Sequence, residues 1–269
     1  SAMHVLVTRP EPQATAWVHE LQASGITASA LPLIGISAPE SAAPIQEVWS
    51  HLSRYRAVMF VSPAAVDWFF RLQPPHCTWP AGTLATAPGP GTASDIRKAG
   101  IESGFPDIRV ISPGSESPQF DSESLWPLLA PFDWRDQRVC IVSGGDGKEA
   151  KGRTWLTQQW QTRGAQVDTI VTYRRTPASW SPSQQALFLQ AVANPSAFAW
   201  LFSSSEALNY LANHFQHTYA PDHPIDWNQT KALVTHPRIA ERAQQLGMAQ
   251  ITQSKPALAE VVLALRNFP

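Results

Sequence analysis

Cysteine, charge and long apolar runs are all scarce in this chain of 269 residues. The two cysteines, Cys77 and Cys140, lie in different segments, so no disulfide framework holds the fold. The eight histidines show no HxxxH or HxxE spacing, which argues against a bound metal. Cys140 sits inside an apolar run and reads as a small buried hydrophobe. Charged residues make up only 15% and the net charge is −1. That balance excludes a strong field drawing in nucleic acid or an anionic membrane, so an anionic ligand must be held by local groups. No stretch resembles a signal peptide or a membrane span, and a cytoplasmic protein is expected. What is plentiful is apolar residue content, 43% of the chain, enough for the cores of two ordinary domains.

The chain repeats itself. Val5-Leu6-Val7-Thr8-Arg9-Pro10, followed by a helical stretch stopping at Gly25, is echoed by Val139-Cys140-Ile141-Val142-Ser143-Gly144-Gly145 and a stretch stopping at Gly164. Phe60-Val61-Ser62-Pro63-Ala64-Ala65-Val66 is echoed by Leu201-Phe202-Ser203-Ser204-Ser205-Glu206-Ala207. Gly89-Pro90-Gly91-Thr92-Ala93 before Gly100 matches His236-Pro237-Arg238-Ile239-Ala240 before Gly247. A period above a hundred residues means two like-folded lobes rather than a solenoid, and a cleft between lobes is where a ligand is expected.

Short apolar runs bounded by Gly, Pro, Ser or Thr predict strands near 4–8, 57–62, 84–87, 108–112, 138–143, 199–203, 231–235 and 250–253. Helical patterns follow them. Trp17, Leu21 and Ser24 share one face, as do Leu208, Leu211 and Phe215, while Pro256 suits a first turn ahead of Leu258, Val261, Val262 and Leu265. Repeated strand–helix units predict parallel sheets covered on both faces. Two segments, 26–39 and 166–177, read as extended stretches longer than a usual strand. If both cross between lobes, one α/β lobe joins 1–34 to 174–269, the other spans 38–168, and the crossing strands form a ladder. Pro-rich segments 74–80, 113–118 and 221–227 read as surface loops.

The strand-to-helix turns are the first functional candidates, because ligands of open α/β sheets bind beyond the carboxyl ends of the strands. Ser62-Pro63-Ala64, Gly89 to Thr92, Ser143-Gly144-Gly145, Ser203-Ser204-Ser205 and Thr235-His236-Pro237 all fall there. Helix N-termini at these points suit carboxylates or phosphates. Ser, Thr, Gly and Pro are also ordinary caps, so each turn alone reads as capping; five in two matched halves read as an extended anion site. Gly144 to Lys148 lacks the phosphate-loop spacing, since Lys148 is followed by Glu149, and Gly89-x-Gly91 lacks the third glycine of a dinucleotide fingerprint. Tyr173, one of four tyrosines, lies on the second extended segment beside Arg174 and Arg175. Its hydroxyl could act as a general acid, with nearby Arg charge favouring the ionised phenol, or its ring could simply pack with a wet tip. Arg9 could pair with a substrate carboxylate or lie on the surface, and His236 in its matching turn is equally open. No Ser-His-Asp set or carboxylate pair is present.

These stretches, with Asp121-Ser122-Glu123-Ser124-Leu125, Gly152-Arg153-x-x-Leu156 before Gly164-Ala165, and Tyr173-Arg174-Arg175, resemble the uroporphyrinogen-III synthase family in order and spacing over nearly the whole chain. The resemblance implies two similar α/β lobes with parallel sheets flanked by helices, joined by a two-stranded antiparallel β-ladder. It implies a monomeric, cofactor-free cyclase acting on hydroxymethylbilane, a linear tetrapyrrole with eight carboxylates, with transient contact to the preceding enzyme of the pathway. Tyr173 aligns with the family tyrosine thought to assist departure of the substrate hydroxyl. Thr92 and Ser62 align with a threonine and a serine of the cleft. There are departures. Ser143 stands where the family has Arg, Asp146 to Lys151 look inserted, and His236-Pro237-Arg238-Ile239 replaces a Gly-Pro-x-Thr turn. The alternative reading is a two-lobed protein that binds a small anion without catalysis.

Overall fold

The structure, a computed structural model, describes residues 3–145 and 151–269. Among these the strands are β1 (His4–Val7), β2 (Ala28–Ala30), β3 (Ile34–Ser37), β4 (Tyr55–Phe60), β5 (Leu84–Thr86), β6 (Val110–Ile111), β7 (Arg138–Gly145), β8 (Gln166–Pro177), β9 (Phe198–Phe202), β10 (Lys231–Val234) and β11 (Gln250–Gln253). The chain divides into two compact units, Ser1–Ile36 with Thr176–Pro269, and Ser37–Arg175.

The first unit carries a parallel sheet in the order β11-β10-β9-β1-β2. Its central strands are apolar throughout because helices cover both faces: all five residues of β9 are buried. Side chains alternate between two cores. Leu6, Trp200, Phe202 and Val234 join Phe188 and Phe215 on one face. Val5, Val7, Leu201 and Leu233 join Leu21 and Val261 on the other, the period of two expected of a strand.

The other sheet has the order β3-β8-β7-β4-β5-β6 and belongs to the second unit apart from Ile34–Ile36 of β3 and Thr176–Pro177 of β8. From β8 to β6 the neighbours are parallel, whereas β3 runs antiparallel to β8. Leu33 O accepts from Ala178 N–H at 3.0 Å, and Ala38 O accepts from Arg174 Nε at 3.1 Å. One core of this unit gathers Met59, Ile141, Leu125 and Leu129 around Trp134 and Trp160. Matched helices end alike: Gly25 and Gly164 have φ of 79° and 89°, the left-handed stop that glycine adopts without steric cost.

The two sheets share one layout, with β7-β8 in the places of β1-β2 and β4-β5-β6 in the places of β9-β10-β11. The repeated segments therefore do not coincide with the units. Each unit takes its first module from one repeat and the remaining two from the other.

Two expectations differ in detail. Segment 26–39 is not one long strand but β2 in one sheet and β3 in the other. The break falls at Pro32, which has no N–H to donate to a ladder; its carbonyl accepts from Trp180 Nε1 at 2.7 Å, and Leu31 and Leu33 are fully buried. The last helix is Leu258–Arg266, so Pro256 precedes it rather than opening it.

Candidate functional site

Strand order reverses at one point in each sheet. In the second unit the chain runs β4-β5-β6 to one edge, then resumes on the other side of β4 as β7-β8. Beyond the carboxyl ends of β4 and β7 is the place where open α/β sheets bind ligands. Ser62 follows β4 and caps helix Pro63–Arg71, its Oγ accepting from Ala65 N–H at 3.2 Å. Pro63 fills the first helical position, where no N–H is needed, and Ala64 is the next residue. The same Ser62 Oγ lies 3.0 Å from the hydroxyl of Tyr173 on β8. Tyr173 is only 3% exposed, so its ring is packed and its hydroxyl tip is tied to the turn.

A local irregularity puts Tyr173 there. Ser143 pairs with Val171 but Gly144 pairs with Tyr173, so Thr172 is an extra residue in β8. Thr172 and Tyr173 are consecutive and both buried. Thr172 Oγ1 donates to Ser143 O at 3.3 Å. Ser143 is itself buried, its Oγ 3.5 Å from Ile170 O. A Cβ on Gly144 would fall on the ring of Tyr173, and one on Gly145 would come within 3.0 Å of Val171 Cγ1. Asp146, Gly147 and Lys148, the rest of the run that suggested a phosphate loop, lie outside the described residues.

Gly89 caps helix Pro90–Glu102, and a Cβ there would meet Phe120 Cβ at 2.8 Å. Gly91 is exposed, with nothing within 4 Å of where its Cβ would be. Its N–H belongs to the first turn, where helices leave donors unpaired. Thr92, one residue on, is buried.

In the first unit the order reverses between β1 and β9. Thr8 Oγ1 bridges them, donating to Leu201 O at 2.7 Å. Arg9, in the turn after β1, is held against the next helix, with Nε donating to Gln13 Oε1 at 3.2 Å and the guanidinium 4.6 Å from the Trp17 ring. Ser204 Oγ caps the helix beginning at Ser205 by accepting from Glu206 N–H at 3.1 Å. Among the described residues Ser203 Oγ is buried with no hydrogen-bond partner, a costly state for a hydroxyl unless something else satisfies it. His236 caps helix Pro237–Gln245, its Nδ1 accepting from Arg238 N–H at 3.0 Å; accepting there leaves the ring proton on Nε2.

Sequence reading missed a second polar cluster, at the opposite end of the second unit's sheet. Tyr55 donates to Asp168 Oδ2 at 2.6 Å, and Arg138 Nε lies 3.7 Å from the same oxygen. Burial, then the bond to Asp168, pushes the Tyr55 phenol well above its ordinary range. Burial does the same to the Cys140 thiol, with the Asp168 charge adding to it. These groups sit where the strands begin, away from the turns, and no spacing in the sequence marks them. Among the described residues, no helix is long and apolar enough to cross a membrane.

Fold and turns together define a two-unit α/β protein whose strand ends carry capped helix N-termini, with one buried tyrosine hydroxyl tied to such a turn. Residues 15–262 match the family described as Uroporphyrinogen-III synthase HemD. The chain belongs to that family, and so to the enzymes of heme biosynthesis that handle a small tetrapyrrole. Its fold is similar to that of a uroporphyrinogen III synthase from the extremely thermophilic bacterium Thermus thermophilus, at 16% identity over 99% of this chain and 98% of that one, with a TM-score of 0.57. A uroporphyrinogen-III synthetase from Helicobacter pylori is similar too, at 16% identity over 99% and 100%, with a TM-score of 0.51.

Proposed function

We propose that the chain is a cofactor-independent hydro-lyase that closes hydroxymethylbilane to uroporphyrinogen III, inverting the terminal pyrrole ring and releasing water. Tyr173 gives its proton to the departing hydroxyl, which leaves as water. The resulting azafulvenium cation is attacked by the substituted carbon of the terminal pyrrole, giving a spiro intermediate; that carbon's original methylene bond then breaks to form a second azafulvenium, which recloses at the freed position to leave the ring inverted. The proton lost when the ring system regains aromaticity restores the tyrosine, so protons balance over the cycle. The observation carrying this reading is the Tyr173 hydroxyl 3.0 Å from Ser62 Oγ beyond the carboxyl ends of the strands at the order reversal.

Without enzyme the substrate closes to the uninverted isomer I, so the protein's task is to hold one conformer and assist hydroxide loss. Substrate carboxylates rest on the turns Ser62-Pro63-Ala64, Gly91-Thr92 and Ser143-Gly144-Gly145 of the second unit. Arg9, Ser203-Ser204-Ser205 and His236 of the first unit serve the same end. Main-chain N–H groups and helix dipoles supply the attraction that a net charge of −1 cannot. The protein works as a cytoplasmic monomer that meets the preceding enzyme of the pathway only transiently.

The test is to generate hydroxymethylbilane in situ, oxidise the products and separate the uroporphyrin isomers. Mostly isomer III is expected from the native chain. Tyr173→Phe should form isomer III about a hundred-fold more slowly, the lower range for loss of a general acid, with the chain still folded. Only isomer I from the native chain, at the spontaneous rate, would overturn the reading.

A further inference from the structure

Three features converge on one side chain. Thr172 is an extra residue in β8, which turns Tyr173 to the same register position as Gly144. The absence of a Cβ on Gly144 leaves the space that the Tyr173 ring occupies, since a Cβ there would lie on the ring and 2.7 Å from its hydroxyl oxygen. The hydroxyl so placed reaches Ser62 Oγ at 3.0 Å.

Ser62 has one proton to give. Ala65 N–H already occupies an acceptor site on its Oγ at 3.2 Å. A serine hydroxyl carries one donor and two acceptor positions. When Tyr173 points its own proton at a ligand, the Ser62 proton is free to point at the phenol oxygen. A hydrogen bond donated to an oxygen that becomes charged is stronger than one to a neutral oxygen.

We propose that Ser62 and Gly144 are positioning residues for proton transfer from Tyr173, Gly144 by seating the ring and Ser62 by donating to the phenol oxygen as its proton leaves. The assignment rests on the reading of Tyr173 as the acid. Both act through Tyr173. Gly144 gives the Tyr173 ring its space. Ser62 serves twice, as helix cap and as partner of the phenol.

The two duties are separable. Glycine is nearly as good a helix cap as serine, so Ser62→Gly removes the hydroxyl while largely sparing the helix, and Ser62→Thr keeps both. Gly144→Ala meets the far end of a side chain rather than backbone, so the ring should swing aside without unfolding the sheet. Isomer III formation would be followed in the full chain with hydroxymethylbilane, together with thermal midpoints. Ser62→Gly is expected to lower kcat about ten-fold, the size of one hydrogen bond to a charged group, with KM unchanged and with Ser62→Thr restoring the rate. Gly144→Ala is expected to approach the loss seen in Tyr173→Phe. Placed in the Tyr173→Phe background, neither substitution should cost kcat further. Full additivity in that background, or a loss that tracks the thermal midpoint, would overturn the proposal while leaving Tyr173 as the acid. A Tyr173→Phe chain as fast as the native one would instead remove the acid itself, and with it the premise.

Discussion

At the scale of single residues, the two cysteines make opposite use of their surroundings. Cys140 is wholly buried on β7, and burial holds its thiol protonated; Cys77 lies in a loop and is partly exposed. A thiol-reactive dye at neutral pH should therefore label the native protein at Cys77 only, and both positions after denaturation. Rapid native labelling at Cys140 would show that β7 opens locally. Residue chemistry is partly legible in the sequence. Ser62, Ser204 and His236 stand out because a capping residue before Pro or an apolar run has a local signature, and each does cap its helix. Gly144 invites the wrong reading, because a glycine that makes room for a ring looks the same in sequence as one that bends around a phosphate. The tie between Ser62 and Tyr173 spans 111 residues, and no window-based pattern carries it.

At the scale of elements, the central strands are readable because parallel strands buried on both faces are short, nearly continuous apolar runs. The length of β8 is equally plain in its extended pattern, but its bulge depends on how Thr172 meets Ser143 across the ladder. Likewise the break at Pro32 is visible only as a proline, with no sign that β2 and β3 enter different sheets. One consequence at this level concerns acid. His4 on β1 lies 2.7 Å from Ser29 Oγ on β2 and stacks on Phe198 of β9 at 5.2 Å. Burial lowers its pKa below the ordinary value of 6.5. The unfolded chain then binds this proton more readily than the folded one, so stability is held above pH 6.5 and declines as pH falls through that value toward the folded pKa. Thermal midpoints measured from about pH 7.5 to about pH 5, a window bracketing the free imidazole value, should fall more steeply for the native chain than for His4→Asn. Equal slopes would mean that other groups set the acid response.

For the whole molecule, the arrangement of the sheets matters more than any one contact. β3 and the end of β8 are antiparallel neighbours, and antiparallel strands can be joined by a two-residue turn. Replacing residues 38–173 with Asn-Gly should thus leave the first unit with its two cores intact. Calorimetry should find a cooperative transition in this shortened chain, and the isomer assay should find no isomer III. A chain without a transition would show that the first unit does not hold together alone. The same arrangement sets a timetable for synthesis. Of these strands β1 is translated before the rest, yet its partner β9 ends at Phe202. At roughly 5–20 residues per second, that leaves the opening strand waiting about 10–40 s beside only β2. Everything needed for the second unit is translated within that interval. The newborn chain must therefore finish its middle before its beginning, keeping an apolar strand from wrong partners meanwhile.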